Sequence, residues 1–238
     1  MRLFGKGRST REDESAGEPG AVTEEAAADP AAAPSAAQST GPAATTGPFD
    51  EADAPAGVTR VDLGALRVPP RPGMELRLEL EEKTRRVVAA TVGLAGSTVQ
   101  LQAFAAPRRD GIWDEIRAEI ATQVTKSGGS ADEIPGSFGR ELLARLPART
   151  SDGRTAHRPA RFVGVDGPRW FLRAVFSGPA AADEQAARPL EEVVRGTVVV
   201  RGAEAMAPRD LLPLRLPDQG GGDAQVSTTS DGATAAES

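Results

Sequence analysis

From Met74 to Glu81 the chain alternates without a slip. Met74, Leu76, Leu78 and Leu80 fall on one side, and Glu75, Arg77, Glu79 and Glu81 on the other. A period of two predicts a strand with one buried and one wet face. Residues 85–94 (RRVVAATVGL) and 98–105 (TVQLQAFA) follow, with Ala95-Gly96-Ser97 between them. In the second of these, Val99, Leu101 and Ala103 alternate with Gln100 and Gln102. Three successive strands with short connections predict an antiparallel meander. The period then changes to that of a helix. Ile112, Trp113, Ile116, Ile120 and Val124 recur at helical spacing, with Asp110 placed to cap and Lys126-Ser127-Gly128-Gly129 to close. This helix is expected to lay its Ile/Trp stripe on the meander.

A second cycle follows. Residues 140–147 (RELLARLP), 160–165 (ARFVGV) and 169–176 (RWFLRAVF) read as three more strands. Residues 179–195 read as a helical stretch that Pro189 should break or restart, and residues 197–202 (TVVVRG) as a last buried strand. The prolines at 208, 213 and 217 make the next segment an extended wrap. The order βββα–βββα–β predicts an α+β fold. Its sheet is largely antiparallel, with helices on one face.

This patterning occupies residues 58–217, enough for one domain with a sizeable core. Residues 1–57 hold 15 Ala, 7 Gly and 6 Pro, with few large apolar groups, and 218–238 are rich in Gly, Ser, Thr and Ala. Both are expected to be disordered tails, since neither can bury enough surface to offset chain entropy. The tails carry −6 and −4, so the overall −6 conceals a domain of +4. Acidic arms on a mildly basic body keep chains soluble and apart, and can compete with an anionic partner.

Several chemistries are excluded or left without support. The chain has no cysteine, so disulfides, thiolate metal sites and Cys nucleophiles are ruled out. Its single histidine, His157, lies in a turn-rich connector without a Ser or Asp at triad spacing. No metal site, phosphate loop or cofactor motif appears, and no cofactor is expected. The stretch MRLFGKGR is not followed by the apolar core of a signal peptide, and no apolar run is long enough to span a bilayer. A cytoplasmic protein is expected. An enzyme would need a deep pocket with convergent carboxylates.

One charge feature stands out. Seven arginines, 145, 149, 154, 158, 161, 169 and 173, face only Asp152 and Asp166 between residues 145 and 173. In GVDGPRWFLRAVFSG (164–178), Pro168 cannot donate the closing bond of an Asp-Gly loop, so a longer turn from Asp166 to Arg169 is expected. On the strand after it, Trp170, Leu172, Ala174 and Phe176 form the core face, leaving Phe171, Arg173 and Val175 on the other. Arg161 lies across the hairpin. Its head is expected to meet that of Arg173, with Arg169 at the corner and Phe171 as an exposed aromatic platform. Arg161, Arg169, Phe171 and Arg173 are therefore the candidate contacts for an anion or a partner.

VDLGALRVP (61–69), GVDGPRWFLRAVFSG (164–178) and TVVVRGAEAMAPRDLLPLRLP (197–217), with LFG at 3–5, resemble the actinobacterial domain of unknown function 3710 family. The resemblance implies a cytoplasmic actinobacterial protein and carries no catalytic residues over. With no catalytic constellation and long tails, the leading expectation is a non-enzymatic protein-interaction module. Leu3, Phe4 and Gly5 then serve as a tethered docking peptide. The alternative is nucleic-acid or other polyanion binding through the arginines of 145–173.

Overall fold

The computed structural model describes residues 47–108, 111–149 and 153–217, and the backbone of 226–230. It is an α+β structure with two mostly antiparallel sheets and, among the described residues, two α-helices. Three short strands come first: β1 (Phe49–Asp50), β2 (Val61–Asp62) and β3 (Leu66–Val68). The meander follows as β4 (Glu75–Leu80), β5 (Val87–Leu94) and β6 (Ser97–Ala105), then α1 (Trp113–Lys126). The second cycle is β7 (Ser130–Gly136), β8 (Gly139–Arg149), β9 (Thr155–Gly167) and β10 (Trp170–Ser177). A 3-10 turn (Gly178–Ala181), α2 (Glu184–Gly196), β11 (Val198–Val199) and β12 (Val226–Ser230) complete it.

The large sheet runs β12-β4-β5-β6-β10-β9-β8-β7, and the small one β1-β11-β3-β2. Pairing of Phe49 and Asp50 with Val198 and Val199 brings residues ahead of 58 into the fold. The backbone of 226–230 runs parallel to β4, beyond the expected boundary at 217. The extended wrap is present: Leu211 bridges Phe104, and the Leu212 amide donates to the Ala103 carbonyl at 2.9 Å.

The alternation of β10 divides the core. Trp170, Leu172, Ala174 and Phe176 belong to the large cluster that includes Leu76, Leu101, Leu190 and Val194. Phe171 belongs to a smaller cluster with Ile112 and Trp113, joined by Phe104, Ile116, Ile120 and Phe162. Since neighbouring residues on a strand point to opposite faces, α2 and α1 cover opposite faces of the large sheet. Placing both helices on one face was incorrect. Nor does α1 lie on the meander: it packs against β7, β8 and β9.

Other differences have local causes. β7 escaped the pattern because Asp132, Glu133 and Pro135 spoil its alternation. It forms as an edge strand, where proline is tolerated. Glu133 forms an ion pair with Arg117 at 3.2 Å and accepts from Arg140 at 3.0 Å, tying α1 to this edge. Pro189 does not break α2: it is exposed, while Ala187, Leu190, Val193 and Val194 bury a continuous stripe around it. The packing of that stripe outweighs one missing backbone hydrogen bond.

Candidate functional site

The hairpin that holds the candidate arginines is set by a two-residue loop. Trp170 pairs with Gly167, leaving only Pro168 and Arg169 between them. Proline supplies the φ of the first turn position, and Arg169 adopts φ 65 at the second. The longer turn expected from Asp166 is not formed. Asp166 instead serves α1. Its carboxylate accepts from the amides of Ile112 at 2.8 Å and Trp113 at 3.3 Å. It caps that helix from across the sheet, a role expected of Asp110, which lies outside the described residues.

Register then separates the arginines. Arg173 stands opposite Gly164, and Arg161 opposite Phe176. Arg161 therefore shares the α2 face with Phe176, and Arg173 shares the α1 face with Phe171. The two heads do not converge.

Arg161 is 5% exposed. Its guanidinium donates to Glu141 at 3.1 Å and to Glu191 at 2.9 Å, and lies 4.5 Å from the centre of the Phe176 ring. Glu141 on β8 also accepts from the Phe138 amide at 3.1 Å. Glu191 on α2 accepts from Ser137 at 2.7 Å and approaches Arg195 at 3.4 Å. Burial pushes the Glu141 carboxyl above the usual range, against the pull of Arg161. A cavity of about 380 Å³ opens beside Arg161 and Glu191, walled by Ser137, Asp183 and Arg188. Convergent carboxylates in a cleft are what an enzyme would need. Here all four carboxylate oxygens already accept from protein donors, so the cluster locks α2 onto β8 and β9. Both terminal nitrogens of Arg161 are engaged there, and its Nε is buried without a partner.

Phe171 is fully buried. Trp113 lies over it with ring centres 6.0 Å apart and planes 23° off parallel, and Phe104 approaches at 6.0 Å. Gly164 has no side chain where the Trp113 ring needs the space. The exposed platform is thus a core residue: α1 covers the face on which Phe171 was expected to meet solvent. Arg173 is half-buried, donating to Gln102 with its guanidinium over Phe104 at 5.5 Å. Its Nε is buried without a partner, and burial lowers its pKa. Arg169 is exposed at the turn, its carbonyl accepting from Ala106 at 2.9 Å and from Arg201 at 3.1 Å. Leu3, Phe4 and Gly5 lie outside the described residues.

What remains of the basic stretch is at the far end of the hairpin, roughly 30 Å of strand from Gly167. β10 ends at Ser177, opposite Ala160, and β7 begins at Ser130, opposite Arg145. Beyond those points β8 and β9 continue alone, from Leu146↔Arg158 to Arg149↔Thr155. This two-stranded ribbon runs past its neighbours by roughly 10 Å. Arg149, His157 and Arg158 are exposed on it, and Arg145, opposite Ser130, is exposed at its base. The strand period puts Arg145, Arg149 and His157 on one face and Arg158 on the other. Among the described residues, no carboxylate lies within ion-pair distance of Arg145, Arg149 or Arg158. A groove of about 770 Å³ runs beside the ribbon, lined by Leu146, Ala148, Arg158, Pro159, Ala160 and Pro179. The sequence pattern ended one strand at 147 and began the next at 160, so the element formed by 146–149 and 155–158 was missed. The arginines nearest the aromatic pair drew attention away from it.

Residues 47–221 match the model of a family described as proteins of unknown function, DUF3710. The chain belongs to the DUF3710 family. The match spans most of the chain and includes the ribbon, the Glu141–Arg161–Glu191 cluster and β1. No curated protein matches this DUF3710 chain. Among its described residues, no helix is long and apolar enough to cross a membrane.

Proposed function

We propose that this DUF3710 protein is a non-enzymatic protein-interaction module whose binding element is the distal β8–β9 ribbon. The reading is carried by one observation: Arg149 and Arg158 stand on a two-stranded projection, with Arg145 at its base, and none of the three has a carboxylate partner among the described residues. Several arginines elsewhere on the molecule are matched. Arg209 meets Glu115 and Glu119, Arg117 meets Asp114 and Glu133, and Arg215 meets Asp62. A guanidinium fork left open on an exposed arm suits a carboxylate or phosphate brought by a partner. The same groups fit a nucleic-acid backbone, which is the second reading. A protein partner is preferred because the ribbon carries no Phe or Trp, and His157 is its one ring on which a base could stack.

The test is a charge reversal of all three arginines, R145E/R149E/R158E, in the full chain. Thermal melting should be unchanged, because all three side chains are exposed. Partners cross-linked in cells and captured with the wild-type protein should fall about tenfold in recovery with the variant. Equal recovery of the same partners would refute the assignment of the ribbon.

A further inference from the structure

The ribbon has a property that charge alone does not use. Gly178, with φ 77, turns the chain out of β10 and into the 3-10 turn. Residues 155–159 of β9 are therefore paired to β8 on one side. Along the other side, among the described residues, no strand runs.

The register tells which backbone groups face that open edge. Gly167 and Trp170 close a two-residue loop, so they exchange both backbone hydrogen bonds. Counting down β9 from Gly167 two residues at a time, Arg161, Pro159 and His157 point their backbone groups the same way. Proline placement agrees. Proline is tolerated in a ladder where its missing N–H faces away from the partner strand. Pro159, opposite Arg145, and Pro147, opposite His157, both fit that rule. His157 thus presents an N–H and a C=O, and Pro159 a C=O, to the space that β10 vacates. The groove lined by Leu146, Ala148, Ala160 and Pro179 flanks that edge, with Arg158 in its wall.

We propose that this edge takes an extended acidic peptide segment, which adds to β9 as a strand in line with β10. The inference rests on the interaction reading above and names its partner. Charge complementarity sets the occupant. An added strand sends alternate side chains to the two faces of the ribbon. Arg145 and Arg149 meet the carboxylates on one face, and on the other the apolar groove, with Arg158 in its wall, takes small aliphatic groups. Main-chain pairing supplies affinity and the arginines select charge. Pro159 removes one donor from the edge, which weakens its pairing with a second copy of itself.

The experiment uses the full chain and three fluorescein-labelled probes read by anisotropy. The first is a ten-residue peptide of alternating Glu and Val. The second is the same peptide N-methylated at every backbone amide, and the third is a twenty-nucleotide oligo-dT. The first peptide should bind. Methylation should weaken it about tenfold or more, and R145E/R149E/R158E about as much; the oligonucleotide should bind more weakly than the peptide. Equal binding of both peptides, with loss in the charge-reversed variant, refutes strand addition while the arginine ribbon stands. Tighter binding of oligo-dT overturns the peptide assignment in favour of nucleic acid. Failure of the first peptide to bind overturns it outright, and binding indifferent to the variant removes the ribbon reading as well.

Discussion

Arg161→Met removes the charge at the centre of the buried cluster while keeping a side chain of similar reach. Glu141 is fully buried and Glu191 is 4% exposed. The variant strips a hydrogen bond of 3.1 Å from the first and one of 2.9 Å from the second. Glu191 retains Ser137 and Arg195, and Glu141 retains only the Phe138 amide. Deleting one member of a buried ion pair costs about 3–5 kcal/mol, because it strands a charge away from water. Loss of the guanidinium over the Phe176 ring, up to about 2 kcal/mol for a desolvated pair, falls within that range. Methionine is flexible enough to refill the stem's space, so a cavity contributes little. We expect a loss of about 3–5 kcal/mol at neutral pH, measured by urea unfolding followed through Trp113 and Trp170 fluorescence. Adding Glu141→Gln and Glu191→Gln to the variant should recover more than half of that loss, since no uncompensated charge then remains. A single-variant cost under about 1 kcal/mol, or no recovery in the triple variant, would refute charge compensation as the role of Arg161.

Three further outcomes follow from the geometry. Phe171→Ala should cost about 3–5 kcal/mol in the same unfolding assay, as for a core aromatic, and leave binding of the Glu/Val peptide unchanged. An exposed platform would show the reverse. Asp166→Ala should cost about 1 kcal/mol and raise amide hydrogen exchange in the first turn of α1, because two amides lose their acceptor. The buried Glu141 carboxyl titrates above its unfolded value, so the folded state holds its proton more tightly. The stability difference between wild type and Glu141→Gln should therefore favour wild type most at acid pH, and shrink as pH rises from about 4.5 through the raised folded value. A difference that grows across that window would show that the pull of Arg161 outweighs burial.

Much of the scaffold was readable in the chain. The alternation of Met74–Glu81 and of Val99–Ala103 gave β4 and β6. The Ile/Trp stripe gave α1, and Trp170, Leu172 and Phe176 belong to the core as their spacing required. Long-range placement was less legible. Phe171 belongs to the opposite face from Trp170 in any strand, but only the position of α1 decides whether that face meets helix or water. Two tight pairings, Phe49–Asp50 with Val198–Val199, span most of the domain in sequence and leave no periodic trace. Glu191 shows as one more acid on an amphipathic helix. Its partnership with Arg161 depends on α2 folding back over β9.

The separation of Arg161 from Arg173 was, by contrast, already decided by counting. Any hairpin loop of even length places these two residues on opposite faces, whether two residues are left unpaired, as observed, or the four from Asp166 to Arg169. Only an odd loop would have joined them. The same arithmetic explains where free arginines can exist. β9 has 13 residues and β8 has 11, but β10 has 8 and β7 has 7. Where all four strands overlap, α1 and α2 cover the two faces. Past the ends of β7 and β10 there is no core left to cover them, and two strand edges lie open together. Exposed edges invite indiscriminate pairing, which arginine and proline discourage. Arg145, Arg149, Arg158, Pro147 and Pro159 thus suit an edge that resists indiscriminate pairing. They also narrow its acceptable neighbours to a strand that brings its own negative charge.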